Sequence, residues 1–267
     1  VASFIDPHDI CGWARGDKLY NGNIGDPPPA DSCPPLPKGF SLPLDEPEVL
    51  KKTRKRFPGH HPTIDWEREK WRQYLWANYR LIEVVDRRIG EIIDAMKVNG
   101  LWDDSVIIFT SDHGEGTARH HWNQKQALWD TPTRVPFIIS DGTKTSSGQI
   151  NKTRLVSTGL DLYPTICDYA GVEIPEGING VSARSMMEFC DEKENGGRSF
   201  IVSESSLGGF QEVPDVHDSP SGRLVRSKKY KYCVYSEGNN REQFFDMESD
   251  PHETKNLMTN KDYSRQI

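Results

Sequence analysis

Asp112 and His113 stand side by side just after a short apolar run, residues 106–109, and they carry the sharpest chemical signal in the chain. A carboxylate next to an imidazole offers two metal ligands on one stretch of backbone. Gly114 lets the chain turn sharply behind them. Lys125 follows thirteen residues after Asp112, so its ammonium can meet an anion held by the metal, and His120 lies between the two. Near the start, Asp6-Pro7-His8-Asp9 stands at the end of another apolar run, residues 1–5. Each feature also has a plainer reading. Asp112 can cap a turn, His113 can be a surface side chain, and a histidine after proline is commonly a turn residue.

The elements that must position these residues follow from periodicity. Residues 106–109 are wholly apolar, which suits a strand buried on both faces of a parallel sheet. In open α/β sheets the crevice lies beyond the carboxyl ends of the strands. Asp112, His113 and, after an expected strand over residues 1–5, His8 would therefore emerge into one crevice. Trp71, Leu75, Asn78, Ile82, Val85, Ile89, Ile92 and Met96 recur every three or four residues. They predict a helix over residues 66–98, capped by Asp65 and stopped by Asn99-Gly100. A helix feeding a buried strand is the αβ half of a doubly wound sheet. A further helix carries Leu160, Leu162, Ile166 and Cys167, with Ser157 or Thr158 as its cap and Gly171 as its stop. Short strands over residues 199–204, 223–226 and 230–235 imply a small antiparallel sheet. The charged, glycine-rich stretch 192–197 marks a boundary between an α/β part, residues 1–192, and a small α+β subdomain, residues 198–267.

Composition narrows the classes of function. The 267 residues carry a net charge of −7, which argues against a general nucleic-acid binder. No run approaches the length of a membrane-spanning helix, and the first residues lack the pattern of a signal peptide. The chain opens on Val1 rather than Met, in a strand-like run, and reads as starting within a domain. The basic run 51–56 is expected to be a solvated face, and His60-His61 lacks the partners of a metal site. Five cysteines, at 11, 33, 167, 190 and 233, form no C-x-x-C and predict no zinc site.

Three linked blocks go further: Thr110-Ser-Asp-His-Gly114, then His120 and Lys125, then Arg134-Val-Pro-Phe-Ile-Ile139. At this spacing they resemble the C-terminal half of the sulfatase family, within the alkaline phosphatase superfamily. The stretch from Phe244 to Leu257 resembles that family's closing segment, so the resemblance runs from about residue 6 to 257. It implies an alkaline-phosphatase-like doubly wound sheet followed by a small antiparallel C-terminal subdomain. It also implies a sulfuric ester hydrolase in which Asp112 and His113 bind a divalent cation, usually calcium, and Lys125 contacts the sulfate. His8 precedes Asp112 by 104 residues, as the family's Pro-His does, and becomes the leaving-group acid. His120 occupies a family-like position and is expected to join His8 and Lys125 as a catalytic residue, and Asp161 aligns with a structural aspartate.

The family's nucleophile is a formylglycine made from the cysteine of Cys-x-Pro-x-Arg. Cys11-Gly-Trp-Ala-Arg15 has Trp13 in place of the proline, and Cys33 lacks the arginine. The family's paired metal-binding aspartates are also absent. The resemblance therefore implies a partner: a missing N-terminal segment of the same protein, carrying formylglycine. The substrate is expected to be a sulfated small molecule or glycan. A phosphodiester or phosphonate monoester hydrolase on the same scaffold and a non-catalytic half-site module stand as alternatives. The Pro/Gly-rich excursion 22–47 would wall the substrate pocket, and a periplasmic or secreted location rests on the resemblance alone.

Overall fold

The computed structural model describes residues 1–20, 23–56, 59, 61–142, 148, 150–152, 154–188, 198–208 and 219–266. It is an α/β protein, as expected. Its helices are α1 (Ile10–Arg15), α2 (Glu48–Arg56), α3 (Arg68–Val98), α4 (Asp130–Thr133), α5 (Thr158–Ala170) and α6 (Arg184–Glu188). Strands β1 (Ile107–Thr110) and β2 (Phe137–Ser140) form one pair. Strands β3 (Phe200–Ser206), β4 (Ser221–Ser227), β5 (Tyr230–Tyr235) and β6 (Glu242–Asp246) form a second sheet in that order. No helix among the described residues is long and apolar enough to cross a membrane.

Two expectations about the strands change. β1 pairs antiparallel with β2, Ile108 opposite Ile139, and not with a parallel neighbour. Residues 1–5 form no strand, and Val1, Phe4 and Ile5 are exposed. Among the described residues no strand pairs with that run, and without a partner strand no ladder can form. The C-terminal sheet matches its expected strands and adds β6, antiparallel to β5 with Phe244 opposite Tyr232.

Helix α3 starts after Glu67, so Asp65 does not cap it, while Asn99 and Gly100, at φ +67°, end it. Its first half is buried through Trp71, Tyr74, Leu75, Ala77, Asn78 and Leu81. Ile82 and Ile92 in its second half are exposed. The Pro-rich excursion lies along α3: Arg72 donates to the carbonyls of Asp31, Cys33 and Pro34, and Gln73 donates to that of Pro28. At α5 the expected cap runs in reverse. The Ser157 N–H donates to the Asp161 carboxylate, which is fully buried and also accepts from Val181 N–H and Arg198. Gly171, at φ +65°, closes α5 as expected.

Two cores meet at residues 118–129. One joins Ile10, Cys11 and Ala14 of α1 to Phe40, the buried face of α3 and Ala118. The other joins Val49 and Leu50 to Trp122, Leu128, Trp129 and the inner face of the C-terminal sheet. That inner face follows the two-residue period of a strand: Lys231, Cys233 and Tyr235 of β5 are buried in turn. The basic run 51–56 is only partly solvated, since Arg54 is buried, bonded to Glu46 at 2.5 Å and set over the Trp122 ring. Cys11, Cys33, Cys167 and Cys233 are free, buried thiols, and Cys190 lies outside the described residues, as does His60.

Candidate active site

β1 ends at Thr110, and the chain then enters a long loop before α4. Gly114 is needed there, though not for the sharp turn its type suggested. A Cβ at this position would collide with the Thr131 carbonyl, because the loop lies directly on the α4 backbone. The Gly114 N–H donates to Pro132 O at 2.9 Å. Beyond it, Thr117, Ala118, His120, His121, Gln124 and Gln126 all adopt positive φ. Non-glycine residues in that region each cost on the order of 1 kcal/mol or more and persist only where surroundings over-determine them.

The surroundings here do so. The Glu115 carboxylate accepts from Tyr74 Oη of α3 and from the Gln124 N–H, both at 2.5 Å. Trp122 Nε1 donates to Lys125 O, and His120 N–H donates to Gly39 O at 2.7 Å. Burial pushes the Glu115 carboxyl upward against the pull of these donors. Glu115 is thus the fastener between α3 and the loop.

The loop is held from the other side by the C-terminal sheet. Lys231, fully buried on β5, donates to Glu253 Oε1 at 2.7 Å and to Asp130 Oδ1 at 2.9 Å. Glu253 Oε2 in turn accepts from the Asp130 N–H at 2.7 Å. Burial alone would neutralise the Lys231 ammonium, and the two facing carboxylates outweigh it and hold it charged. Tyr235 Oη accepts from the Leu128 N–H two residues before Asp130.

Between these fasteners Asp112, His113 and Lys125 converge on one cleft of about 460 Å³. Lys125 Nζ lies 2.9 Å from His113 Nε2, and the Asp112 carboxylate lies 3.5 Å from the same nitrogen. His113 Nδ1 sits 2.8 Å from Gly114 O, a bond in which the ring must donate. That leaves the Nε2 lone pair facing Lys125, which is the tautomer a metal-binding imidazole needs. For Asp112, partial burial raises the carboxyl, and the His113 ring and backbone N–H more than offset it, so the group titrates below the ordinary carboxylate range. It is an ionised, largely exposed oxygen donor. These two side chains suit part of a divalent-cation site. Among the described residues no third His, Cys, Asp or Glu completes a cluster.

The remaining expected site residues fall elsewhere. His120 is buried against Trp129, ring centroids 4.4 Å apart, and does not line the cleft. Burial pushes its pKa down to about 4. His8 lies in the turn before α1 and does not line the cleft either, although Cys11 of α1 feels the charges of Glu115 and Lys125. The thiol of Cys11 is pushed up to about 12 by burial, the opposite of an activated nucleophile. The excursion 23–47 contributes nothing to the cleft wall, which comes instead from Ser203, Glu204, Ser205 and Ser206 of β3, with Gly208 and Ser219. Sequence reasoning missed both Glu115 and this wall. The signal for the wall was present: serines recur on one face of β3, where a core strand would carry apolar residues.

Comparison with known proteins gives the family. The sulfatase family model matches residues 27–172, and the model of the N-sulphoglucosamine sulphohydrolase C-terminal region matches residues 118–267. The chain belongs to the sulfatase family, within the alkaline phosphatase superfamily. Among its relatives is the Delta 4,5-hexuronate-2-O-sulfatase of Bacteroides thetaiotaomicron, 30% identical over 99% of this chain and 53% of the relative. The solved structure of a 2-O GAG sulfatase superposes with a TM-score of 0.81 at 27% identity, covering 98% of this chain and 54% of that one. The phosphonate monoester hydrolase of Agrobacterium radiobacter superposes with a TM-score of 0.63 at 25% identity, over 76% of this chain and 40% of that one. The chain thus spans about half the length of the sulfatases that it matches over nearly all of its own length.

Proposed function

We propose that this chain supplies the cation-and-sulfate side of a sulfuric ester hydrolase that acts on a sulfated carbohydrate. The observation that carries this reading is the convergence of Asp112, His113 and Lys125 on one cleft in a sulfatase-family chain. Sulfated sugars are favoured because relatives aligned over nearly the whole chain are named for 2-O-sulfated uronate and GAG substrates. Phosphonate ester hydrolysis is the weaker reading, since its structural relative matches less of the chain at lower similarity.

In this reading Asp112 and His113 Nε2 hold a divalent cation, which we take to be calcium and which displaces Lys125 Nζ from its place 2.9 Å from that nitrogen. When bound, such an ion polarises and orients the sulfate. Calcium takes six to eight ligands, so these two need further oxygens. We assign those oxygens, and the formylglycine nucleophile, to a further N-terminal segment of the protein. The exposed apolar side chains of Val106, Ile138, Leu160 and Ile166 offer such a segment a surface to cover. Lys125 is fixed by the bond from Trp122 to its carbonyl and carries the positive charge that meets the sulfate oxygens. A preorganised cation of this kind is worth more as charge develops than in the ground state. His8 does not line this cleft, and its assignment as the leaving-group acid rests on the family spacing to Asp112. His120 we assign to holding the loop from within the core. Residues 1–192 and 198–267 then act as one unit, the second supplying a wall of the cleft.

The test is metal content beside rate in the active protein. Asp112→Ala is expected to lose both metal and turnover, whereas Lys125→Ala keeps its metal and slows turnover by two or more orders of magnitude, about 3 kcal/mol. Equal metal loss in both variants would mean that Lys125 only supports the fold.

A further inference from the structure

The expected specificity wall, the Pro-rich excursion, lies away from the cleft, and β3 takes its place. Along β3 one face runs Ile201, Ser203, Ser205 and then Leu207, which is fully buried in the second core. At the two middle positions a packed strand would carry apolar side chains, and this one carries hydroxyls. Both line the cleft that holds Asp112, His113 and Lys125. Among the described residues neither the Ser203 nor the Ser205 hydroxyl has a hydrogen-bond partner, whereas the Thr133 hydroxyl on the same cleft donates to Trp129 O. Each hydroxyl can donate one bond and accept two. Alternation along a strand sets the pair about 7 Å apart, far enough to address two different groups of one ligand.

The placement of these hydroxyls is fixed. β3 is an edge strand bound to β4 over its whole length, Ser203 opposite Leu224 and Ser205 opposite Gly222. Leu224 lies in the core that also holds Trp122 and Leu128, so the serines and Lys125 are referred to one rigid body. Gln126, next to Lys125, donates to Gly208 O at 3.4 Å just past the end of β3. Glu204, which also lines the cleft, is paired with Arg223.

We propose that Ser203 and Ser205 form the sugar-recognition wall of the site, donating to and accepting from hydroxyls of the ring whose sulfate lies against Lys125. The ligand is therefore a sulfated polyhydroxylated ring and not a sulfated lipid or a simple aryl sulfate. This rests on the reading of the cleft as a sulfate site. Its own content is that the β3 serines read the part of the ligand that is not sulfate.

Two probes separate these claims by their KM in the active protein: glucose 6-sulfate, and 4-nitrophenyl sulfate, which has the sulfate and no ring hydroxyls. In the double variant Ser203→Ala/Ser205→Ala, glucose 6-sulfate should bind about tenfold more weakly, as expected for two modest hydrogen bonds. Binding of 4-nitrophenyl sulfate should be unchanged, which also shows that the variant is folded. If neither probe's binding changes, or if both weaken equally, the sugar wall is overturned while the sulfate site stands. If the active protein turns over neither probe, or Lys125→Ala turns both over as the parent does, the reading of the cleft fails and the wall fails with it.

Discussion

The two sheets are treated very differently by the rest of the molecule. The C-terminal sheet lays a dense inner face, Leu224, Cys233 and Tyr235, against Trp122, Leu128 and Trp129, and seals it with the buried Lys231 cluster. The β1–β2 pair has half-buried strands, and Ile138 on β2 is 57% exposed. Both sheets serve the cleft, since β1 delivers Asp112 and His113 while β3 forms the opposite wall. The difference teaches that the reactive loop takes its shape from the second sheet and from α3 rather than from the strand that precedes it in sequence. A strained backbone needs a rigid template, and the C-terminal sheet is the one on hand.

The largest effect should come from breaking that template. Lys231→Met leaves the Glu253 carboxylate in the interior without its cation and Asp130 with Arg226 at 3.8 Å as its remaining pair, and losing one partner of a buried pair costs about 3–5 kcal/mol. Denaturant unfolding of parent and variant measures it. A loss below 1 kcal/mol would mean that the second sheet does not hold the loop.

The next effect is pH-dependent and belongs to His120. Its folded pKa, near 4, lies below the ordinary 6.5, so the unfolded chain takes up this proton first as pH falls. The stabilisation is complete above pH 6.5 and is lost progressively toward pH 4, with a limit of about 3 kcal/mol. In His120→Phe that part of the pH dependence should vanish, and unfolding midpoints taken across the window check it. An unaltered slope would place His120 in contact with solvent.

The smallest effect should fall on the other sheet. Ile138→Thr removes an exposed side chain and is expected to change the stability of this chain by no more than about 0.5 kcal/mol. Thermal unfolding of the chain decides. A loss of 2 kcal/mol would erase the contrast between the sheets.

Much of this was legible in the sequence, and the parts that were not share a cause. Asp112, His113 and Lys125 were marked by residue type and spacing, and they do share a cleft. The four-stranded sheet announced three of its strands as short runs between turns, while β6 was hidden because Gln243, Phe244, Phe245 and Asp246 are all buried and show no alternation. Periodicity along α3 was real, yet only its first half is covered. Residues 1–5 have the composition of a strand and no partner, and pairing is a property of two segments. The positive-φ loop, the fastening by Glu115 and the displacement of the Pro-rich excursion depend on contacts between distant residues. No local pattern encodes those.

The central claim is that this chain holds the metal and sulfate side of the site and not the nucleophile. Turnover of 4-nitrophenyl sulfate by the purified 267-residue chain, with calcium in excess, tests it most directly. The account predicts no hydrolysis above background, because Asp112 and His113 are too few ligands and Cys11 is a buried, high-pKa thiol. Hydrolysis that survives exhaustive purification and disappears in Lys125→Ala would contradict it and place a working nucleophile within these residues.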